Sequence, residues 1–498
     1  MESEIQKNRF RQEREELKKM ERTVNNCPFR TRYHVMPPVG WLNDPNGLCQ
    51  FRGIYHAYFQ YSPLSVHGGG GYWGHCTSTD LIHWKYKEPV LTTDIPEDAG
   101  GVYSGSALIE NDHMYLFYTG NVKLPGNYDY IDSGRISTQL LTESDDGQHM
   151  SGKTKLLGME DYPENITRHV RDPKVWKEEG TYYMVLGARA RAWDKEGERS
   201  DRGGVLIYTS QDKKNWSLWS ELVPDKKFGY MWECPDIFVL SGTRVLSYCP
   251  QGLPAGEEKY QNIYQSGYSI LPVGITAKMD DVFREWDPED TFREWDMGFD
   301  FYAPQSFETE DGRRILIGWA GVPDTEKAHR NLSVENGWQH CLTLPTELVY
   351  RSGKIFRKPV SELSNLPWKD VAADKADGKY RKYHWADQAV AVKEDGIAGG
   401  ERCLLIGRED NGLTIHVAGD KVELTFLNRD RQPSICGGGR RVRIGRVEDR
   451  VEELLVLIDS SIVEVFVNGG ETVFTTRIYL DKKDRNLAAD GRCRILAI

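Results

Sequence analysis

One short pattern recurs five times between residues 47 and 319 of this 498-residue chain. Each copy has an apolar strand, a turn rich in Gly, Asp or Asn, and a second strand of aromatic and β-branched residues. The copies are GLCQFRGIYHAYFQY (47–61), SALIENDHMYLFYTG (106–120), PKVWKEEGTYYMVLG (173–187), DIFVLSGTRVLSYCP (236–250) and QSFETEDGRRILIGW (305–319). Their turn centres fall near 53, 112, 179, 242 and 312. A spacing of about sixty to seventy residues is the self-similarity of a repeat architecture. A third strand follows most copies, in HCTSTDLIHWKY, LLTESDDGQHM, LIYTSQDKKNWSLW and, less clearly, ITAKMDDVFREW. Three or four antiparallel strands per repeat, five times round, describe a five-bladed β-propeller, whose radial closure hides its sheet edges. The regular order of elements argues against unrelated hairpins in an ordinary sandwich.

The remaining chain divides around that unit. Residues 1–27 are charged throughout and read as a short helical extension, followed by the propeller over 28–355. FRKPVSELSNLPW opens a linker over 356–369, and alternation in GLTIHVAGDKVELTF and SIVEVFVNGG predicts a β-sandwich over 370–498. CGGGRRVRIGR (436–446) lacks the order of a phosphate loop and reads as a turn into a strand. The predicted class is therefore all-β.

Composition narrows the partners. A net charge of −11, spread over the chain, argues against nucleic acid, which requires a basic stripe. No apolar run has the length of a membrane span, and the charged N-terminus does not read as a signal peptide. Nine cysteines without a CxxC suggest neither a zinc site nor a disulfide framework, so a reducing cytoplasm is the expected setting. The 14 Trp and 25 Tyr serve β cores by default and also stack on sugar faces.

The residues leading into each first strand read NDPNGL, YSGSAL, RDPKVW, ECPDIF and YAPQSF. In a propeller these five points converge at one mouth of the central channel. Asp44, Ser104 and Asp172 then occupy equivalent positions before a Pro or Gly, while Glu233 comes one position earlier. Because strand side chains alternate, aiming Glu233 inward requires a bend or bulge before Pro235. Taken singly, each acid is an ordinary exposed loop residue. Held together in a partly dry site, like charges separate their proton affinities, which provides an acid and a nucleophile for glycoside hydrolysis.

WLNDPNG, RDPKVW and WECPDIF resemble the three signature motifs of glycoside hydrolase family 32, the β-fructofuranosidases. YFQYSP (58–63), YWGHCTSTDLIHW (72–84), GGVYSGSAL (100–108), GFDFYAPQSF (298–307) and GRRILIGWA (312–320) follow in family order, and LIDSSIVEVFVNGGETVFTTRIY (457–479) resembles the family's C-terminal sandwich. The resemblance implies Asp44 as nucleophile, Glu233 as general acid and base, and Asp172 as transition-state stabiliser. It implies substrate contacts from Asn43, Gln60, Trp73, Tyr103, Ser104, Arg171 and Trp319. The implied substrate is sucrose or sucrose 6-phosphate. Short fructo-oligosaccharides, fructosyl transfer, an arabinan-type hydrolase and a non-catalytic sugar-binding propeller are the alternatives. No metal or organic cofactor is expected, since His75 and His169 lack metal-ligand spacing. Family sandwiches sometimes mediate pairing, so a homo-oligomer is compatible with the sequence. Thr346 stands where an Arg is usual. Segments 121–135 and 188–203 read as loops near the mouth, and Arg135, Arg168, Arg189 and Arg191 either meet a phosphate there or form solvated surface.

Overall fold

The computed structural model describes residues 4–69, 71–271, 285–324, 331–372, 375–377, 380–397, 400–427, 441–490 and 492–498. Most of the proposed third strand ITAKMDDVFREW and the glycine run of CGGGRRVRIGR lie outside the described residues. The fold is nearly all-β, with helices at Glu4–Asn25 and Pro288–Thr291: a propeller followed by a β-sandwich.

The repeated hairpin is built on one kind of turn. Phe51 pairs with Ile54, Glu110 with His113, Glu178 with Thr181 and Leu240 with Thr243, leaving two residues in each loop. Both loop residues have positive φ in all four: Arg52–Gly53, Asn111–Asp112, Glu179–Gly180 and Ser241–Gly242. That geometry matches the right-handed twist of the flanking strands. The fifth hairpin is wider, running from Glu308 to its partner Arg314 with Gly312 at φ 83°.

The recurring Ser-x-Asp also has a physical role. Asp80, Asp146 and Asp212 each accept from the serine two residues earlier, and each gathers two backbone N–H groups from the following turn. These bonds hold the three carboxyls well below the usual aspartate range.

Five sheets follow one another among the described propeller residues. Their first strands are Gly40–Phe51, Val102–Glu110, Ile166–Glu178, Met231–Leu240 and Tyr302–Glu308. These inner strands meet around a common axis. Gln305 Nε2 donates to Gly105 O at 3.0 Å, and Ser106 Oγ to Pro173 O at 2.8 Å. Buried Lys174 reaches both Ser306 O and the Asp236 carboxylate. The ring is fastened where Trp338–Gln339 pairs in parallel with Gly40–Trp41, bringing a late segment beside the first sheet.

The sandwich packs a six-stranded sheet on a seven-stranded one around Val390, Val392, Leu404, Ile406, Val463 and Val465. Its junction with the propeller combines an apolar cluster, in which Leu342, Leu344 and Val360 meet Leu457, Phe466 and Leu496, with a buried polar one. His34, just ahead of the first sheet, bonds Asp459 Oδ2 through Nδ1 at 2.8 Å and Glu464 Oε2 through Nε2 at 3.1 Å. Arg32 N and Tyr33 N also donate to Asp459, and Leu344 N donates to Glu464. Burial alone would lower the His34 pKa, but the two carboxylates outweigh it and hold it at about 9. The N-terminal helix ends against this junction, where Val24 and Cys27 pack with Trp338, Cys341 and Tyr479.

Because His34 is more basic folded than unfolded, its contribution is full below about pH 6.5 and is lost as pH rises through about 9. His34→Ala is expected to lower stability by about 3–5 kcal/mol at pH 6, since two carboxylates lose their buried partner. The gap to the wild-type protein should narrow as pH passes 9. Urea denaturation midpoints across pH check both statements.

Candidate active site

Each of the five inner strands carries one extra residue near its start. The register slips between Leu42 and Pro45, Val102 and Gly105, Arg171 and Lys174, Glu233 and Asp236, and Tyr302 and Gln305. In the last three the first bulged residue has positive φ: Asp172 at 64°, Cys234 at 47° and Ala303 at 46°. A proline follows each, and its missing N–H is tolerated where the ladder is already broken. The bulge needed to aim Glu233 is thus present at Cys234–Pro235.

The register also explains the offset of Glu233. Its structural counterparts are Arg171 and Tyr302, each the last paired residue before its bulge, whereas Asp172 corresponds to Cys234. Counterparts on neighbouring sheets meet. Arg171 Nη2 and Nε donate to Glu233 Oε1 at 2.6 and 3.1 Å. Tyr302 OH donates to Glu233 Oε2 at 2.6 Å, and Gln251 Nε2 donates to the same oxygen at 2.7 Å.

The other two acids lie alongside. Ser104 Oγ donates to Asp44 Oδ2 at 2.5 Å, and Asn43 Nδ2 to Asp44 Oδ1 at 3.1 Å. Asn43 is itself fixed by Trp41 Nε1, which donates to its Oδ1 at 2.8 Å. Cys234 N donates to Asp172 Oδ2 at 3.0 Å, while Asp172 N donates to Thr119 Oγ1 at 3.0 Å. One sulfur marks the convergence: Cys234 Sγ stands 3.9 Å from Asp44 Oδ2 and 3.7 Å from Asp172 Oδ2. Within the strand Gly40–Phe51, at a second register slip between Asn46 and Cys49, Gly47 sits at φ 52°, and a Cβ there would come 2.7 Å from the Tyr58 ring.

Burial dominates the electrostatics. It raises the Asp44 pKa, against the donors Ser104 and Asn43 and with the help of Glu233's charge. It raises Asp172 to about 7, opposed by Arg171 and reinforced by Glu233 and Asp44. His169 is lowered to about 2 by burial and by Arg171, so it is neutral. Its Nδ1 accepts from Arg171 Nη1 at 3.0 Å, which leaves the proton on Nε2 to be donated to Tyr130 O.

The remaining sequence-derived positions fall into two groups. Gln60, opposite the first bulge, and Trp319, paired with Tyr302, are buried, and Gln60 Nε2 and Trp319 Nε1 have no hydrogen-bond partner. Trp319 completes an aromatic wall with Trp41 and Tyr302, at centroid distances of 5.9 and 6.4 Å. Trp73 is wholly buried and donates to Tyr103 O at 3.1 Å, so in this structure it acts on the mouth through Tyr103. Sequence reasoning missed Tyr302, Gln251, Cys234 and Thr119, while His169 has a hydrogen-bonding role, to Arg171 and Tyr130 O, rather than a metal-ligating one. Tyr302 alone had an available signal, since it occupies the Arg171 and Glu233 position when the five lead-in segments are aligned on their bulges.

The four loop arginines are not solvated surface. Arg191 and Arg199 bind Asp132, Arg189 and Arg199 bind Asp201, and Arg135 and Arg168 donate to loop carbonyls. Thr346, in place of the usual Arg, is buried and donates to Leu316 O at 3.3 Å.

Comparison with known proteins follows this geometry. Residues 34–359 match the glycosyl hydrolases family 32 N-terminal domain, and residues 421–491 match the glycosyl hydrolases family 32 C terminal. A sucrose-6-phosphate hydrolase of Bacillus subtilis (strain 168) is 35% identical over 482 residues, covering 93% of this chain and 92% of that one. The structure of a sucrose-6-phosphate hydrolase from Lactobacillus gasseri superposes with a TM-score of 0.79 at 27% identity, covering 97% of this chain and 94% of that one. A mutant GH32 β-fructofuranosidase of Bombyx mori, solved in complex with sucrose, gives a TM-score of 0.78 at 30% identity, covering 98% and 97%.

A buried aspartate raised from 3.8 to about 7 makes the folded state progressively less favourable as pH climbs between those values, with the deficit full above 7. Asp172→Asn keeps an acceptor for Cys234 N and removes the charge. It is expected to raise stability by about 2–4 kcal/mol at pH 8, with the gain vanishing near pH 4. Thermal denaturation at the two pH values measures it.

Proposed function

The chain belongs to glycosyl hydrolase family 32, and on that premise we propose that it is a retaining β-fructofuranosidase acting on sucrose and sucrose 6-phosphate. The observation that carries this reading is the convergence of Asp44, Asp172 and Glu233, from three different sheets, around Cys234 and Arg171. We read the five sheets as five blades of one propeller, because inner strands of non-neighbouring sheets touch at its axis. The division into 1–27, 28–355, 356–369 and 370–498 belongs to the same reading, with the linker emerging from the strand Lys354–Pro359. Free cysteines at all eight described positions fit a cytoplasmic setting.

In the first step Glu233 gives its proton to the bridging oxygen while an Asp44 oxygen bonds to C2 of the fructosyl unit and the bond from C2 to that bridging oxygen breaks. Glucose, or glucose 6-phosphate, leaves. In the second step Glu233 takes a proton from water, whose oxygen attacks C2 and displaces Asp44, releasing fructose. Asp172 and Arg171 hold fructosyl hydroxyls and stabilise the oxocarbenium-like charge. Arg171 also fixes the Glu233 carboxyl so that the proton is delivered along one direction. The buried unpaired donors of Gln60 and Trp319 suit sugar oxygens. An unsatisfied buried N–H costs about 1–3 kcal/mol, and a bound hydroxyl relieves it.

Sucrose, sucrose 6-phosphate, kestose, inulin and an arabinan, offered separately, should yield fructose from the first two most efficiently and nothing from the arabinan. Glu233→Gln is expected to lower kcat by about 10²–10⁴-fold, and Asp44→Asn by at least as much. Loss of no activity in either variant would remove the assignment. Trp319→Phe offers a second check: it removes an unpaired donor but leaves a cavity at a buried position, so stability should fall by about 1–3 kcal/mol while kcat/KM falls about tenfold or more. Fructose release and denaturation midpoints on the same preparations read both.

A further inference from the structure

Thr119, Asn121 and Lys123 occupy alternate positions of the strand His113–Lys123, so their side chains share one face. Thr119 supports the backbone of Asp172, and Asn121 Oδ1 accepts from Arg135 Nη1 at 2.7 Å. This face runs outward from the acids and ends in exposed Lys123. Directly across the ladder from Lys123 stands Arg135. Like charges opposite one another in an antiparallel pair are destabilising.

No carboxylate among the described residues bonds directly to either member of this pair, and Glu233 acts on Arg135 only through space. Among the described residues no carboxylate pairs with Lys123, Arg135 or Arg168. Arg135 donates to Asn121 and to Tyr130 O, Arg168 donates to the carbonyls of Asp132 and Arg135, and Lys123 lies over the Tyr130 ring at 5.6 Å. Neighbouring Arg189, Arg191 and Arg199 are, in contrast, each matched to Asp132 or Asp201. Burial and then the charges of Arg135 and Arg171 make the Lys123 ammonium harder to keep, so its charge is unmet as well as unpaired. In a chain of net charge −11, a group of cations with no bonded carboxylate, one strand-end from the acids, is a place for an anion.

We propose that Lys123, with Arg135 behind it, binds the phosphate carried by the leaving hexose and so sets the preference for sucrose 6-phosphate over sucrose. The assignment rests on the fructofuranosidase reading. It places the specificity in a lysine rather than in Arg189 and Arg191, which are occupied by Asp201 and Asp132. A lysine suits the task because a phosphomonoester dianion needs a mobile point charge that releases product readily.

Lys123→Gln removes the charge from an exposed side chain and leaves the acids and Arg135 in place. With sucrose 6-phosphate, kcat/KM is expected to fall about tenfold to a hundredfold, chiefly through KM, while sucrose changes by less than about twofold. Lys123→Arg should retain most of the preference. Calorimetry adds a readout independent of turnover: glucose 6-phosphate should bind the wild-type protein more tightly than glucose, and Lys123→Gln should erase the difference. Equal changes on both substrates, no change on either, or equal binding of the two hexoses overturns the lysine assignment and leaves the fructofuranosidase reading standing. Wild-type protein that cleaves neither fructoside overturns that reading and the assignment with it.

Discussion

A straight strand sends successive side chains to opposite faces of its sheet, and the site depends on breaking that rule at the same place five times. One extra residue near the start of each inner strand bends the chain toward the channel mouth. On the third, fourth and fifth sheets the bulge aligns Arg171, Glu233 and Tyr302 as counterparts, and the outer two both bond to Glu233. The next residues, Asp172 and Cys234, are likewise counterparts and also bond to one another. On the first and second sheets the bonded pair lies one residue further on, at Asp44 and Ser104, each the second residue of its bulge. The site is therefore a repeat protein's internal symmetry, read sideways from sheet to sheet, with a different residue type supplied by each repeat.

Such a site is costly to build. Three carboxyl groups, Asp172 buried and the other two half-buried, lie around the Arg171 guanidinium, and burial together with the charges of the neighbouring carboxylates leaves Asp172 holding its proton toward neutrality. The positive φ at Asp172, Cys234 and Ala303 adds backbone strain at non-glycine positions. The rest of the molecule over-determines the arrangement. The Trp338–Gln339 segment closes the ring, the Lys174–Asp236 pair ties the axis, and the His34–Asp459–Glu464 cluster clamps the chain ahead of the first sheet to the sandwich. The sandwich thus acts as a brace on the first sheet, which carries Asp44.

Much of this was legible in the sequence because it is local. The two-residue turns at Arg52–Gly53, Asn111–Asp112, Glu179–Gly180 and Ser241–Gly242 announce themselves by composition. The three acids were legible as motifs. So was the offset that sets Glu233 opposite Arg171 rather than Asp172, but not the matching slip that all five inner strands carry, because register exists only between paired strands. Gln251 escaped notice since it lies on the second strand of its hairpin and gains meaning only from the 2.7 Å contact with Glu233. Arg189 and Arg191 looked like free surface because their carboxylate partners, Asp201 and Asp132, come beside them only in three dimensions, and Arg135 and Arg168 because their partners are loop carbonyls.

The central claim is that Asp44 and Glu233 address one sugar from opposite sides, so that an aspartate oxygen, not water, reaches C2 first. Stereochemistry reports this directly. Sucrose cleaved in buffer containing methanol traps the departing fructosyl unit as a stable methyl fructofuranoside, whose configuration is read by NMR. Two successive displacements give methyl β-D-fructofuranoside. The α anomer as the enzymatic product would mean a single displacement by solvent, and would contradict the roles given to these two acids.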